Sequence, residues 1–552
     1  MRTVFLVLFL FISVLTNFAQ APVPAKSQVD DVLQYIANGW TALSRSDREC
    51  DTFVDKRKQQ QLSVLYFPAG EPLPSLAADL VKRCNLQVTQ LPQVITGPGQ
   101  FKANAELKPG VLFLPNPYVV PGGFFNEMYG WDSYFIIRGL LEDGKIDLAR
   151  GQVENFFYEI EHYGSVLNAN RTYFLTRSQP PFLSEMVMAV NSAEKQQSQQ
   201  DDKAWLAKAY PYIIRDWKMW TSGEHLAGNT GLSRYFDYGS GPSPELSQSG
   251  DPYYAEMITA VFAGDLHTDY LATDGKWSGP AYKFQVCNDS PSDQTCAKTT
   301  RLLLTDDYYE GDRAMRESGF DVSSRFGPYS GHTHHYAPVC LNSLLYQTEE
   351  NLESIATILG KNDDAKHWGE RARHRSELMN KYLWNPQKGM YFDYDFMAGK
   401  QSNYIYATTF YPLWVKQAST EQARAVEKNV KVFEQPGGIV MSTVDTKLQW
   451  DYPYGWAPIN LIAIEGLRKN EDDADANRLS RHFLSMIVDN FHKDGTIREK
   501  YNVVTRSDEQ DIAVGYHVNV IGFGWTNGSF LVLYHELPQQ QRTTLASTAS
   551  GE

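Results

Sequence analysis

The sequence predicts an all-α protein in which pairs of helices wind into a closed toroid, and three observations point to this fold class. Helical segments dominate the chain from about Pro115 onward, and several come in pairs joined by short polar turns. Three of these turns resemble one another, because each carries a lysine between two helices. The turn lysines, Lys145, Lys361 and Lys469, lie 216 and 108 residues apart, and these intervals indicate a repeating helix pair.

Each of the three turns ends one apolar helix and opens an amphipathic one. The turns cover Leu140–Ala149, Ile358–Ala365 and Leu467–Ala474, and in each one acidic residues follow the lysine. Acidic side chains are favourable at a helix N-terminus because the helix dipole is positive there. Apolar residues then recur at helical spacing, as in the series Ala365, Trp368, Ala372, Met379 and the series Ala476, Leu479, Phe483, Ile487.

The composition of the chain predicts four parts. Residues 1–21 have the pattern of a signal peptide, and residues 22–114 form a mixed N-terminal extension that packs on the toroid. Within this extension Ala77–Cys84 has a helical pattern, whereas Leu91–Gly110 is rich in proline and glycine. Residues 115–538 form the helical catalytic domain, and the polar residues 539–552 form a disordered tail.

The first residues suggest export from the cytoplasm. Arg2 precedes an apolar run from Val4 to Leu15, and Ala19-Gln20-Ala21 offers small residues for cleavage. The run is too short to span a bilayer, so we interpret it as a secretory signal peptide and predict a periplasmic or secreted protein. An uncleaved anchor is the alternative. No other segment has the apolar length of a membrane helix, so no membrane partner is expected after cleavage.

Charge and composition exclude several classes of protein. The 552 residues carry a net charge of −14, which argues against a nucleic-acid partner because phosphate binding needs a basic face. With 42% hydrophobic and 21% charged residues the chain is not disordered. Aromatic residues make up 13% of the chain, a content that suits either sugar binding or a large aromatic core. We expect a monomer.

The five cysteines suggest two disulfides and one free thiol. Cys287 and Cys296 bracket a polar loop and form one candidate pair, and Cys50 and Cys84 form a second. Cys340 lies between apolar neighbours and is predicted to be a buried free thiol. Other pairings stay open, because connectivity does not follow from sequence alone.

Clusters of aromatic, acidic and glycine residues separate the helix pairs. Loops at one end of a rigid helical scaffold are common places for chemistry. The clusters are Pro121–Tyr134, Asn168–Pro181, Arg316–Arg325, Gln449–Pro458, and Arg498–Asn502 followed by Gly522–Gly528.

Together these clusters resemble the trehalase family, the inverting glycoside hydrolases that split α,α-trehalose into two glucose molecules. The first family signature is a Pro-Gly-Gly stretch that leads to Glu, Tyr, Trp-Asp and Tyr, as in Pro121–Tyr134. The second is Gln-Trp-Asp-x-Pro-x-Gly-Trp-x-Pro, which Gln449–Pro458 matches throughout. The resemblance runs from about Leu107 to Leu537 and implies an (α/α)6 toroid, trehalose as the small sugar substrate and no cofactor.

The resemblance implies a catalytic pair of carboxyl groups. It assigns the general acid to Asp321 and the general base to Glu499. In the sequence Asp321 lies between Phe320 and Val322, an apolar setting that would raise its pKa and retain its proton. Glu499 lies between Arg498 and Lys500, which would favour its charged form. Without the resemblance, each residue would be interpreted as a surface ion-pair partner.

The resemblance also assigns residues to sugar binding. Planar and charged side chains would hold the hydroxyl groups, and aromatic faces would cover the C–H surface of the ring. Considered alone, these residues would be assigned to the core, ion pairs, caps and turns. They are Phe125, Trp131, Asp132, Asn168, Arg177, Gln179, Glu245 and Gly319.

Three positions depart from the family pattern. Many trehalases place Arg after Pro-Gly-Gly, where this chain has Phe124, and some place Arg where this chain has Ser243. A glycine-rich loop that often ends in Glu-Tyr is represented by Ala513–His517, which contains no Glu. These charged groups belong to the side of the pocket that holds the departing glucose. The alternatives are therefore an inverting hydrolase of another α-glucoside or a sugar-binding relative without catalysis.

A histidine-rich stretch, Gly331-His332-Thr333-His334-His335, raises the question of a metal site. The spacing could bring two imidazoles together, but no acidic ligand is close in the sequence and the family mechanism needs no metal. The sequence therefore predicts no metal at this stretch.

Overall fold

The structure is a computed structural model that describes residues 28–55, 61–101, 107–249, 253–262, 270–272, 282–286, 298–512 and 518–545. Helices dominate these residues, as the sequence predicts. The α-helices are α1 (Gln28–Leu43), α2 (Ser75–Cys84), α3 (Asp132–Glu142), α4 (Ile146–His162), α5 (Leu183–Ser198), α6 (Lys203–Trp220), α7 (Pro244–Ser249), α8 (Tyr253–Phe262), α9 (Asp306–Ser318), α10 (Val339–Ile358), α11 (Asn362–Tyr382), α12 (Tyr411–Trp414), α13 (Thr420–Lys428), α14 (Ala457–Lys469), α15 (Asp473–Asp494), α16 (Gly524–Glu536) and α17 (Gln539–Leu545).

Six helices form a closed inner ring. Helix α3 contacts α5, α5 contacts α10, α10 contacts α12, α12 contacts α14, α14 contacts α16, and α16 returns to α3. Glycines allow the closing pair, α3 and α16, to approach closely. A Cβ at Gly528 would lie 2.0 Å from the carbonyl oxygen of Phe135, and one at Gly139 would lie 2.5 Å from Cα of Gly528.

A second layer of helices surrounds the ring. Helices α4, α6, α11 and α15 pack on the inner helices that precede them in the chain, and α13 follows α12. The remaining outer place belongs to α1, which packs on α15 and α16. Helix α1 turns the apolar face formed by Val29, Val32, Ile36 and Trp40 inward. The predicted (α/α)6 toroid is confirmed.

The helix-pair turns lie where the sequence predicts them. Lys145 directly precedes α4, Lys361 directly precedes α11, and Lys469 ends α14 shortly before α15. At α15 the carboxylate of Asp472 accepts a hydrogen bond from the backbone N–H of Asp475, so it caps the helix. The predicted helix at Ala77–Cys84 is also confirmed, as part of α2.

The strands are short and form small sheets between the helices. Strands β4, β5 and β6 form a parallel sheet in which Leu65 lies opposite Val88 and Val111. Strands β11, β14 and β15 form an antiparallel sheet beside α10, and β8, β10 and β9 form another. The strands are β1 (Ser44–Arg45), β2 (Val54–Asp55), β3 (Gln61–Leu62), β4 (Val64–Phe67), β5 (Val88–Gln90), β6 (Gly110–Leu112), β7 (Tyr118–Val119), β8 (Leu271–Ala272), β9 (Tyr282–Val286), β10 (Lys298–Leu304), β11 (Tyr336–Ala337), β12 (Trp384–Asn385), β13 (Met390–Tyr391), β14 (Tyr394–Asp395), β15 (Lys400–Gln401), β16 (Glu434–Gln435), β17 (Gly438–Ile439), β18 (Tyr454–Trp456) and β19 (Lys500–Asn502).

Two of the cysteine predictions are confirmed. Cys50 and Cys84 form a disulfide, and Cys340 is a buried free thiol. The other candidate pair, Cys287 and Cys296, lies outside the described residues.

The two ends of the chain are only partly described. The predicted signal peptide, residues 1–21, lies outside the described residues. At the other end, residues 539–545 form helix α17 within the stretch predicted to be a disordered tail. The boundaries of the four predicted parts stay a prediction. Within the described part of the chain, no helix combines the length and the apolar composition needed to cross a membrane.

Candidate active site

The five sequence clusters lie in the segments that lead into inner helices. The clusters beginning at Pro121, Asn168 and Gln449 run directly up to α3, α5 and α14, and the one at Gly522 opens α16. The Arg316–Arg325 cluster ends α9 and begins the connection to α10. Because each outer helix returns the chain, inner helices run in one direction and these segments gather at one end of the ring.

Four tryptophan rings pack together at this end of the helix ring, and we call this cluster the aromatic floor of the site. Trp450 and Trp456 stack with their centroids 3.8 Å apart and their planes 2° from parallel. Trp131 lies 5.8 Å from Trp450, and Trp525 lies 5.6 Å from Trp456 at a steep angle. The Trp131 side chain is almost fully buried, so this residue, assigned to sugar binding, is also part of the aromatic core.

Asp321 lies just beyond the C-terminus of α9. Gly319 ends the helix with φ of 76°, a left-handed conformation that favours glycine, and a Cβ there would lie 2.8 Å from the Trp131 ring. The side-chain amide of Gln449 donates a hydrogen bond to the backbone carbonyl of Asp321. The family signature at 449–458 therefore holds the backbone that carries Asp321.

The environment of Asp321 favours its protonated form. Burial raises the pKa of Asp321 to about 7, although the nearby guanidinium of Arg316, with Nη1 3.7 Å from Oδ2, acts in the opposite direction. The side chain is still 32% exposed, so it is surrounded by protein but open to a small molecule. The apolar setting expected from Phe320 and Val322 is present, because both side chains are buried.

Glu499 directly precedes β19, opposite β18. The pairing of these strands places Trp456 beside Lys500, and the Trp525 indole donates a 3.0 Å hydrogen bond to the Glu499 carbonyl. The Nζ atom of Lys500 lies 3.1 Å from Oε2 of Glu499, and both side chains are buried. Of the two cations that flank Glu499 in the sequence, Lys500 contacts its carboxylate.

Arg498, the other flanking cation, is engaged elsewhere. Its guanidinium pairs with Asp494 and with Asp508, at 3.0 Å from the latter. These two aspartates hold the Arg498 guanidinium, so Lys500 is the flanking cation that pairs with Glu499.

Asp132 links the two predicted catalytic residues electrostatically. It is the first residue of α3 and is 4% exposed. Burial raises the pKa of Asp132 well above its ordinary value, and the negative charges of Glu499 and Asp321 raise it further. Lys500 is influenced by the same two carboxylates. Asp132, Asp321 and Glu499 thus form one group of interacting carboxyl groups.

Arg177 and Glu245 form a buried ion pair beside this group. Nη2 of Arg177 lies 2.5 Å from Oε1 of Glu245, and Asp237 lies 3.8 Å from Nη1. Burial raises the pKa of Glu245, but Arg177 and Arg316 outweigh that effect and the net pKa is lowered. The charge of Arg177 also lowers the pKa of Asp321, so the ion pair lies within electrostatic reach of the predicted acid.

The other predicted sugar-binding residues order the loops of the site. Oε1 of Gln179 accepts a 2.9 Å hydrogen bond from the Trp131 backbone N–H. The backbone of Asn168 bonds to Gly130 and Arg177, at 3.2 and 2.8 Å. Phe125 is partly buried, with its ring 5.5 Å from Tyr129 and 6.3 Å from Phe523.

Comparison with known proteins identifies the family. The sequence model described as Trehalase matches residues 26–537, which is most of the chain. The chain belongs to the trehalase family. A probable trehalase from Eremothecium gossypii is 35% identical over 495 residues, which cover 81% of this chain and 63% of that protein. A cytosolic neutral trehalase from Saccharomyces cerevisiae is 34% identical over 519 residues, 85% of this chain and 64% of that protein.

A solved structure has the same fold as this trehalase-family chain. The neutral trehalase from Saccharomyces cerevisiae is 30% identical, with a TM-score of 0.74 over 94% of this chain and 96% of that one. The matches to the curated relatives above span slightly less than two thirds of those proteins' length.

The relatives overturn one prediction. The matched proteins from Saccharomyces cerevisiae, Emericella nidulans and Kluyveromyces lactis are named cytosolic neutral trehalases. The predicted signal peptide and the periplasmic or secreted location are therefore wrong. The prediction rested on the apolar run Val4–Leu15, and a run of that length does not by itself distinguish a signal peptide from other apolar segments.

Two site residues were not singled out from the sequence. Arg316 and Lys500 contact the predicted acid and base, respectively. Both lie within the quoted clusters, so a signal was present. Their side-chain directions depend on where α9 ends and on the register of β19, which sequence patterns do not define.

The structure describes two of the three positions that depart from the family pattern. Phe124 is 47% exposed, so its ring lies at the surface and not in the core. Ser243 is buried, and its hydroxyl lies 3.4 Å from Nη1 of Arg177. Ala513–His517 lies outside the described residues.

Proposed function

We propose that this member of the trehalase family hydrolyses α,α-trehalose to two glucose molecules by a single displacement that inverts the anomeric centre. The names and coverage of the relatives support this substrate. The observation that carries the proposal is the opposite chemical environment of two carboxyl groups in one site. Asp321 has a pKa raised to about 7, whereas Glu499 contacts the ammonium group of Lys500.

In the proposed mechanism Asp321 is the general acid. Its carboxyl donates a proton to the glycosidic oxygen, so the departing glucose leaves as a neutral alcohol. Arg316 lies near enough to stabilise the carboxylate that this step creates. Burial keeps the proton on Asp321 until the transfer occurs, because it disfavours the charged form.

Glu499 is the proposed general base. Its carboxylate removes a proton from a water molecule, which attacks the anomeric carbon on the face opposite the departing oxygen. Inverting enzymes hold the two carboxyl groups roughly 6.5–9.5 Å apart so that this water fits. The ammonium group of Lys500 lies 3.1 Å from Oε2 of Glu499.

The remaining predicted residues would hold the sugar. Carboxylates, amides and guanidinium groups suit hydroxyl groups, and aromatic faces suit the C–H surface. The proposed sugar-binding residues are Phe125, Trp131, Asp132, Asn168, Arg177, Gln179, Glu245 and Gly319. We also propose that the protein acts as a monomer and needs no membrane, and light scattering on the purified protein tests the oligomeric state.

The competing proposal is that the protein prefers another α-glucoside as its substrate. The exposed ring of Phe124 presents an apolar face where many trehalases have an arginine. A pocket that loses a charged hydrogen-bonding partner discriminates less between sugars, because a wrong sugar leaves fewer buried polar groups unpaired. A panel of glucose disaccharides, compared by kcat/KM, decides between trehalose and another α-glucoside.

Removal of each carboxylic acid tests the catalytic assignment. Asp321→Asn and Glu499→Gln should each lower kcat by roughly 10²–10⁴-fold, the usual contribution of a general acid or base. The far-UV circular dichroism should stay unchanged. Asp473→Asn and Glu377→Gln are matched controls on exposed carboxylates, and both should keep full activity. Near-normal turnover in either site variant would contradict the assignment.

A further inference from the structure

The histidine stretch 332–335 meets an acidic residue from another element. Asp307 lies in the first turn of α9, and the turn that carries the histidines leads into β11 and α10. Nε2 of His335 lies 3.1 Å and Nε2 of His334 lies 3.0 Å from Oδ1 of Asp307. Nε2 of His332 lies 3.9 Å from Oδ2 of the same carboxylate. No acidic residue is close to the histidines in the sequence, but the folded chain brings Asp307 next to them.

We propose that Asp307, His332 and His335 form a binding site for a divalent transition-metal ion such as Zn²⁺. Imidazole nitrogen together with a carboxylate oxygen is a donor set that such ions prefer over Mg²⁺ or Ca²⁺, which favour oxygen ligands alone.

The distances between the donor atoms suit such an ion. Ligand atoms on a tetrahedral Zn²⁺, at bonds of about 2.0–2.1 Å, lie about 3.3 Å from one another. The contacts of Asp307 with His335 and His332, at 3.1 and 3.9 Å, are close to this value. One donor atom from each of the three residues lies within 4.8 Å of the others, so small side-chain rotations complete the set. Partial exposure of all three side chains leaves a path for the ion and a place for water.

His334 is suited to orient the carboxylate. Its side chain is only 4% exposed, its Nε2 contacts Asp307, and its Nδ1 is buried without a hydrogen-bond partner. A neutral imidazole with its proton on Nε2 fits these contacts, and it donates to the carboxylate as the partners of metal ligands commonly do.

The surrounding charges favour a cation. Glu310 lies one turn after Asp307 on α9, and its Oε2 is 3.8 Å from Nε2 of His334. The carboxyl group of Glu310 adds a second acidic side chain beside Asp307 and the histidines. The neighbouring guanidinium of Arg234 pairs with Glu224 and donates to the backbone carbonyl of His334.

The proposed ion would stabilise the N-terminal end of α9, the helix that leads to the proposed acid. Helix α9 has 13 residues and Asp307 is its second, so Asp307 lies about 17 Å along the helix from the end that precedes Asp321. The ion would therefore connect α9 to the turn before α10 without touching the sugar. Its role is structural, and the proposal is independent of the proposed catalytic function.

Direct metal titration tests the site. The full chain, without a histidine tag and after chelator treatment, is titrated with Zn²⁺ by calorimetry and with Co²⁺ by visible absorption. One ion per chain should bind, and thermal unfolding should shift to higher temperature because the ion binds only the folded state. Each of His332→Ala and His335→Ala should weaken binding by at least about tenfold. His374→Ala, an exposed histidine outside the cluster, should leave binding unchanged.

The contradicting results are equally specific. Absence of binding to the unmodified chain would overturn the proposal, and so would binding that both His332→Ala and His335→Ala leave intact. If either variant does not fold, X-ray absorption at the zinc edge of the unmodified protein replaces it. Two imidazole ligands are then expected, and a spectrum without imidazole scattering would overturn the site.

Discussion

Asp321 and Lys500 carry opposite charges when ionised, and burial disfavours the ionised form of both. It raises the pKa of Asp321 to about 7 and lowers the pKa of Lys500, where the contact with Glu499 acts in the opposite direction. Glu499 is therefore next to a cation whose charged form both its own charge and that of Asp321 favour. At the scale of single residues, the site gives the two proposed catalytic carboxyl groups different neighbours, Arg316 beside Asp321 and Lys500 beside Glu499.

The pKa of Asp321 predicts how the rate depends on pH. A general acid must be protonated, so kcat/KM should fall as the pH rises above about 7, the pKa of Asp321. Each further pH unit should lower kcat/KM about tenfold, because the protonated fraction falls in that proportion. Initial rates at limiting trehalose across a buffer series measure this limb. A rate that stays at its maximum well above pH 7 would contradict the role of Asp321 as the acid.

At the scale of the element, the end of α9 determines where Asp321 lies. Gly319 has a positive φ, and a Cβ at this position would lie only 2.8 Å from the Trp131 ring, which is too close for a side chain to fit. The same helix carries Arg313 and Arg316, which pair with Asp237 and Asp312. The position of the proposed acid thus depends on one glycine and on the aromatic floor.

A substitution at this helix end should disturb the site. Gly319→Ala places a Cβ against Trp131 and strains the backbone, so we expect lower stability and a loss of activity. Gly360→Ala is the matched control, because Gly360 has a φ of 74° but nothing within 4 Å of its Cβ position. Chemical denaturation and kcat measure both effects. Equal behaviour of the two variants would show that the contact with Trp131 has no influence.

Local sequence patterns predicted the helices, but they did not predict contacts between residues that are far apart in the sequence. The turns at Lys145 and Lys361 were predictable because dipole and periodicity act within one or two helical turns. Glu499 pairs with Lys500 and not with Arg498, because Asp508 and a second aspartate engage Arg498 in the folded chain. The meeting of Asp307 with the histidines depends on two elements that only the folded chain brings together.

At the scale of the whole molecule, the first described helix completes the outer layer. Helix α1 belongs to the stretch predicted as an N-terminal extension, yet it packs on α15 and α16 near the other end of the chain. Trp40 is 1% exposed, and its indole donates a 2.6 Å hydrogen bond to Asp143. The ring also lies against Gly139 of α3. This one side chain joins the first helix to the closing seam of the ring.

Removal of this side chain should weaken the whole ring. Trp40→Ala should lower the free energy of unfolding by about 3–5 kcal/mol, because it leaves a large cavity and an unpaired carboxylate. Urea unfolding followed by circular dichroism measures the change. Leu73→Ala, on a side chain that is 44% exposed, is the control and should change stability by no more than about 0.5 kcal/mol. A similarly small effect of Trp40→Ala would show that α1 is dispensable to the toroid.

The anomeric form of the first product tests the central claim most directly. Proton NMR of the chain incubated with α,α-trehalose follows both anomers of glucose before mutarotation mixes them. Single displacement by water with Asp321 and Glu499 predicts equal initial amounts of β-glucose, from the attacked ring, and α-glucose, from the departing one. Release of α-glucose alone at the earliest times, or no release of glucose from trehalose, would contradict the account.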